Sequence, residues 1–157
     1  MPFKIVPAVK NNNLMPQIKN KSIDFINASM VLHHVENINE TLMEFKRIIS
    51  DNGIIVIREH DCKNESFGTF LDILHGLYSL VWSEPIEDPD FVQNYKAYYK
   101  SYEEWDKLFR SFGFRKILFD YKKSVIHSYY AVYTLNIFKD SRIIKNVDTY
   151  NGNINIL

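Results

Sequence analysis

Ile38, Leu42, Phe45 and Ile49 recur at steps of four, three and four, with Glu40, Glu44, Lys46 and Arg47 lying between them. That spacing puts the apolar set on one face and predicts an amphipathic helix. Asn37 or Asn39 suits its start, and Gly53 suits a left-handed turn just past its end. Ahead of this helix, Ser22–Ala28 reads as a strand that runs on into Ser29-Met30-Val31-Leu32-His33-His34. Behind it, Ile54-Ile55-Val56-Ile57 is an unbroken β-branched run, the pattern of a strand covered on both faces in a parallel sheet. The run gives way abruptly to Arg58-Glu59-His60-Asp61-Cys62. A long helix follows, for which Ser66 is a candidate cap. Its Phe67, Phe70, Leu71, Leu74, Leu77, Tyr78 and Val81 make one broad apolar face.

Pro85 and Pro89 mark an acidic loop. Ser101-Tyr102-Glu103-Glu104 then has capping-box spacing, with Trp105, Leu108, Phe109 and Phe112 as the core stripe of a further helix that Gly113 ends. Phe114–Tyr121 and Tyr129–Phe138 read as the last two strands. At the other end, Phe3–Val9 is a short apolar stretch interrupted by Pro7, suited to an edge strand. The order of elements predicts an α/β layered domain with a partly parallel sheet and an antiparallel final pair, in which Tyr129–Phe138 lies beside Ile54–Ile57. Ligands of such sheets bind beyond the carboxyl ends of the parallel strands, here Ala28–His34 and Glu59–Cys62.

Composition narrows the picture. The chain has 157 residues, enough for one domain, and its hydrophobic fraction of 46% supports a packed core. Nineteen basic and nineteen acidic residues leave a net charge of zero, which gives no support to a broad surface for nucleic acid or anionic lipid. The single cysteine, Cys62, excludes an intramolecular disulfide and fits a reducing compartment. No signal-peptide core or membrane-length apolar run is present, so a cytoplasmic location without membrane attachment is expected. Abundant Lys, Asn and Ile, residues with AT-rich codons, point to an AT-rich genome such as that of a protist, an organelle-like replicon or a large DNA virus.

The stretch Ser22-Ile23-Asp24-Phe25-Ile26-Asn27-Ala28-Ser29-Met30-Val31-Leu32-His33-His34-Val35 resembles the fourth-strand motif of class I S-adenosylmethionine-dependent methyltransferases. Phe45 to Ser50 followed by Asp51-Asn52-Gly53-Ile54-Ile55-Val56-Ile57 is similar to that family's helix, glycine turn and fifth strand, with Asp51-Asn52-Gly53 in place of the usual Lys-Pro-Gly-Gly. Trp105 to Phe114, ending Ser111-Phe112-Gly113-Phe114, looks like the helix and Gly-Phe turn before the sixth strand. The likeness runs from about Leu14 to Phe138. It implies a truncated Rossmann-like methyltransferase sheet with helices on its faces, in a partial domain over residues 1–138 and a polar tail over 139–157.

The resemblance also implies S-adenosyl-L-methionine as cofactor and methyl transfer to an O, N or C acceptor that these residues do not identify. Ala28, Ser29 and Met30 would lie against the methionine part of the cofactor, with His33 nearby. Asn12, in the Asn11–Asn13 run, stands where the family often has an acid contacting the adenine amino group; a plain polar loop is the alternative. Glu59, His60 and Asp61 fall on the acceptor side, where a carboxylate or imidazole can orient a nucleophile or take its proton. Alternatively they cap the next helix and face solvent. The family's first strand and glycine-rich loop, and the second strand with its ribose-binding acid, have no counterpart in the sequence. Since the family's sheet order is 3-2-1-4-5-7-6, Ile23–Ala28 is then expected to present an open apolar edge. Phe3–Val9, a partner chain or a second copy can cover it; a truncated reading frame without a stable product is the remaining alternative. A non-catalytic module that lends this edge to a partner is the second functional class. An RNA acceptor gains no support from the neutral charge.

Other residue groups are weaker signals. Asp72 and His75, three apart on the long helix, point either to the same cleft as His60 or to solvent. Tyr95, Tyr98, Tyr99 and Tyr102, interleaved with Lys96 and Lys100, form either a stacking surface or an aromatic core edge. His33, His34, His60, Asp61, Cys62 and His75 are all metal-ligating types, but no pair has His-x-x-x-His or Cys-x-x-Cys spacing, so no metal site is expected.

Overall fold

The computed structural model describes residues 18–82, 95–122 and 126–135. Their elements run β1 (Ile23–Ser29), a 3-10 turn (Leu32–His34), α1 (Ile38–Ile48), β2 (Ile49–His60), α2 (Glu65–Trp82), α3 (Tyr102–Ser111), β3 (Arg115–Lys122) and β4 (Ser128–Thr134). Phe3–Val9, Asn11–Asn13, the Pro85–Pro89 loop, positions 136–138 of the last expected strand and the 139–157 tail lie outside the described residues. No helix among the described residues is long and apolar enough to cross a membrane.

The four strands form one sheet in the order β1-β2-β4-β3. β1 and β2 are parallel, with Phe25 opposite Ile54 and Ala28 opposite Ile57. β4 is antiparallel to both β2 and β3. This is the 4-5-7-6 half of the expected order, with the β-branched run of β2 inside the sheet as anticipated. The core gathers Leu42 and Phe45 of α1, Ile55 and Ile57 of β2, Trp105 and Phe109 of α3, and Tyr129, Ala131 and Tyr133 of β4. Period-two alternation explains why one face of β2 supplies this set while Ile54, Val56 and Arg58 are only half-buried, which corrects the expectation of a strand covered equally on both faces.

Three local readings also change. The structure puts Gly53 within β2, with no left-handed backbone, because α1 passes straight into the strand. The strand takes a wide excursion between the Ile23–Ile49 and Phe25–Ile54 pairs. Glycine is needed there for close approach: a Cβ would lie 2.7 Å from the Ile49 side chain and 3.0 Å from the Ile23 carbonyl oxygen. The α2 start is capped by Asn64, whose Oδ1 accepts from the Phe67 N–H at 2.9 Å, and not by Ser66. Finally, the broad face of α2 is not core. Leu71 is buried, but Leu77, Tyr78 and Val81 are exposed.

The start and end of α3 hold as read. Ser101 accepts from the Glu104 N–H while the Glu104 carboxylate accepts from the Ser101 N–H, a complete capping box. Gly113 takes φ +90° just past the helix, a conformation other residues adopt at a cost.

The two glycine environments give opposite expectations. Gly53→Ala should destabilise the fold by about 1–3 kcal/mol, since the buried Ile49 has nowhere to move. Gly76→Ala, inside α2 with nothing within 4 Å of the new methyl, should stabilise it by roughly 0.5–1 kcal/mol. Urea denaturation of both variants beside the parent chain checks the pair, and equal effects would contradict this packing.

Candidate functional site

The strand alternation that builds the core also sorts the residues at the end of β2. Glu59 continues the core face of Ile55 and Ile57 and is wholly buried. Its Oε1 accepts from the Leu32 N–H at 2.8 Å and the Val31 N–H at 3.2 Å. Its Oε2 accepts from His33 Nδ1 at 2.6 Å. One carboxylate therefore holds the whole turn that follows β1. That bond uses the proton on His33 Nδ1, and Nε2 is buried without a partner among the described residues.

Asp61 is also buried and also builds. Oδ1 accepts from the Tyr102 N–H at 2.8 Å and Oδ2 from the Tyr121 hydroxyl at 3.0 Å, with Lys63 Nζ 3.4 Å away. The carboxylate thus joins the start of α3 to β3. Neither acid faces solvent, so the solvent-facing alternative is replaced by a buried one in which both tie elements together.

His60 points the other way, with Arg58, into a cleft of about 520 Å³ lined by Met30, Arg58, His60, His75, Tyr78, Ile126 and Ser128. Burial, with neighbouring His33 and His75 adding to it, pushes the His60 imidazole down to about 4, so the ring is neutral at physiological pH. Burial also lowers His75 and raises Tyr99 and the Cys62 thiol, which leaves the sulfur protonated. Arg58 stacks over Tyr130 at 5.5 Å, and its buried Nε has no partner among the described residues. Met30 sits at φ 53°, a left-handed conformation costly for a side chain of its kind, where β1 turns out of the sheet.

The sequence-derived candidates divide accordingly. Ala28 is buried in the core, Ser29 is exposed at the strand end, and Met30 lines the cleft. His33 lies beneath it, 5.3 Å between ring centroids from His60. Asn12 lies outside the described residues. His75 does reach the cleft of His60, at 5.6 Å. Tyr95 and Tyr99 join through their hydroxyls at 3.0 Å, and Tyr99 contacts His75 Nδ1 at 3.0 Å. Tyr102 instead packs on Phe119 and Tyr129. Sequence reasoning missed the convergence of His75, Tyr95 and Tyr99 with His33, because they come from separate elements. It also missed Arg58, whose signal was its place two residues before His60 on a strand.

Comparison with known proteins decides the family. The profile described as "Methyltransferase domain" matches residues 4–118, well over half of the chain. The chain belongs to this family. No curated protein sequence matches it. Among solved structures, the methyltransferase domain is similar to an S-adenosylmethionine-dependent methyltransferase from Thermotoga maritima, at 20% identity and a TM-score of 0.50, covering 76% of this chain and 59% of that one. The trans-methyltransferase CalH, solved with SAH, gives 16% identity and a TM-score of 0.52 over 74% of this chain and 31% of that one. A chain solved with the Trm112 methyltransferase activator of Haloferax volcanii gives 12% identity and a TM-score of 0.54, covering 80% and 59%. The methyltransferase domain thus spans 31–59% of the length of these relatives, and shares their fold.

The bonding of Glu59 sets an expectation. Glu59→Ala leaves two backbone N–H groups and the His33 Nδ1–H without acceptors, so it should cost at least about 3 kcal/mol in urea denaturation. A variant as stable as the parent would show that the carboxylate does not hold the turn.

Proposed function

We propose that this methyltransferase domain moves a methyl group from S-adenosyl-L-methionine to a nucleophilic acceptor in the cleft at the carboxyl ends of β1 and β2. The observation that carries the reading is that cleft: about 520 Å³, at the strand ends where parallel sheets bind ligands, and within the size range of small-molecule sites. The fit is to the methionine end of the cofactor. Met30 and Ser29 offer backbone at the strand end, and the unpartnered buried Nε–H of Arg58 offers a donor for a carboxylate. Asn12 is assigned to the adenine side. When bound, the cofactor supplies an electrophilic methyl on a sulfonium.

The chain's own residues do the remaining work. Glu59 positions His33 and the turn behind Met30, and Asp61 positions the neighbouring α3 and β3. His60, neutral in the cleft, takes the proton that an O–H or N–H acceptor gives up as it is methylated. Alignment and exclusion of water are the main demands of such a transfer, and a rigid strand end meets them. The acceptor's class, whether small molecule, protein or RNA, is left open by a cleft whose described lining holds one cation, Arg58, and neutral imidazoles.

A second reading rests on a different observation. β1 ends the described sheet with β2 as its pairing strand, and Phe25 on it is 57% exposed. Ile23–Ala28 can therefore pair with a partner chain or a second copy, and the domain would then serve as a module that lends its edge. Titration calorimetry with S-adenosylmethionine and light scattering on the full chain separate the two. Transfer predicts cofactor binding that His60→Gln leaves intact while methyl transfer to an O–H or N–H acceptor falls by roughly 100-fold or more. Absence of cofactor binding in both monomer and self-associated chain sinks the transfer reading. A strict monomer that binds cofactor tightly sinks the edge-lending one.

A further inference from the structure

Three histidines from three elements converge beside the cleft. His33 comes from the turn after β1, His60 from the end of β2 and His75 from the middle of α2. One ring nitrogen of each lies within 4.8 Å of the others. His33 is 1% exposed and His60 7%. His33 Nε2 and His60 Nδ1 are buried without hydrogen-bond partners among the described residues. Two buried, unpaired imidazole nitrogens are costly unless something accepts their lone pairs or takes their protons.

The outer contacts are those of a ligand set. His33 Nδ1 donates to Glu59 Oε2, so the buried Nε2 is the nitrogen left to bind an ion. His75 Nδ1 is 2.8 Å from the Leu71 carbonyl oxygen, an acceptor only, so the proton sits on Nδ1 and Nε2 keeps its lone pair. A carboxylate behind His33 and a carbonyl behind His75 are the outer contacts that orient histidines on a metal, and His60 adds a buried Nδ1 with no other partner among the described residues. We propose that His33, His60 and His75 bind one divalent first-row transition ion, of which zinc is the type, with a fourth position open toward the cleft.

The geometry requires little movement. Nitrogens on a tetrahedral ion, at about 2.0–2.1 Å each, stand about 3.4 Å apart, so side-chain rotations of on the order of 1 Å close the set. Three neutral imidazoles with no carboxylate in the inner shell favour zinc, cobalt, nickel or copper over magnesium or calcium. Spacing within the sequence pointed away from a metal because the three ligands are far apart along the chain. The open position would face whatever occupies the cleft; an ion uses the His60 lone pair, so ion binding and proton acceptance by His60 are alternative states of the cleft, and the site does not depend on the transfer reading.

The test uses the full chain, stripped by chelation and then titrated with Co²⁺ or Zn²⁺ alone, with no methyl donor present. One ion per chain by elemental analysis and a visible d–d spectrum of nitrogen-coordinated Co²⁺ are expected. His75→Ala and His60→Gln should each weaken binding by on the order of 100-fold or more, beyond the loss an outer-shell partner gives. His127→Ala, outside the group, should leave it unchanged. Circular dichroism identifies any variant that fails to fold; His75→Gln, half-buried on a helix, then takes its place. No stoichiometric ion in the parent chain, or unaltered affinity in the folded His60 and His75 variants, overturns the proposal. Because no donor is present, failure here and failure of the transfer reading are separate results.

Discussion

A wholly buried carboxylate must be given hydrogen bonds or its desolvation works against the fold. Glu59 receives three, all from the turn that follows β1. The consequence runs outward from that carboxylate. The parallel ends of β1 and β2 are locked at one separation, Met30 is held in its left-handed conformation, and the His33 ring is set with Nε2 inward. From there the His33 carbonyl oxygen accepts from the Tyr98 N–H at 2.6 Å, and Cys62 N–H donates to the Lys100 carbonyl at 3.1 Å. The segment carrying Tyr95 and Tyr99 is thus fastened across the histidines by backbone bonds, and its ring contacts follow from that placement.

The parts of this fold legible in the sequence are those encoded locally. The capping box at Ser101, the helix end at Gly113 and the β-branched run of β2 each need only a few neighbouring residues, and each is where it was expected. Sheet order was legible through the resemblance, since strand order is a property of topology that no local pattern carries. Gly53 shows how a local rule misleads. A glycine after a helix usually marks a left-handed turn, but here the chain turns into the strand at once, and the glycine answers a tertiary contact with Ile49 and Ile23. The apolar face of α2 misleads for a related reason: periodicity reports a stripe and says nothing of whether another layer covers it.

The candidate site was only half legible. Strand ends drew attention to Glu59, His60 and Asp61, but residue type alone did not separate their roles. Nor could spacing reveal His33, His60 and His75 as neighbours, because their meeting depends on the β1–β2 register, on the turn held by Glu59 and on the course of α2. Such convergence is created by the fold and is carried by no local pattern of residues.

Alternation along β2 then explains why three adjacent polar residues divide their labour. Ile55, Ile57 and Glu59 share the core face, so a carboxylate at position 59 is compelled to pair with buried partners. Asp61, two residues on, meets the N-terminus of α3 and the Tyr121 hydroxyl on the same terms. Arg58 and His60 occupy the other face, where the sheet is not fully covered and a cleft remains. A residue spent on holding elements together is constrained by every group it bonds, and exchanging it damages the scaffold first. His60 carries no such duty, so its neutral imidazole is free of scaffold bonds and open to a ligand, whether that ligand is an acceptor giving up a proton or, together with His33 and His75, an ion accepting a lone pair.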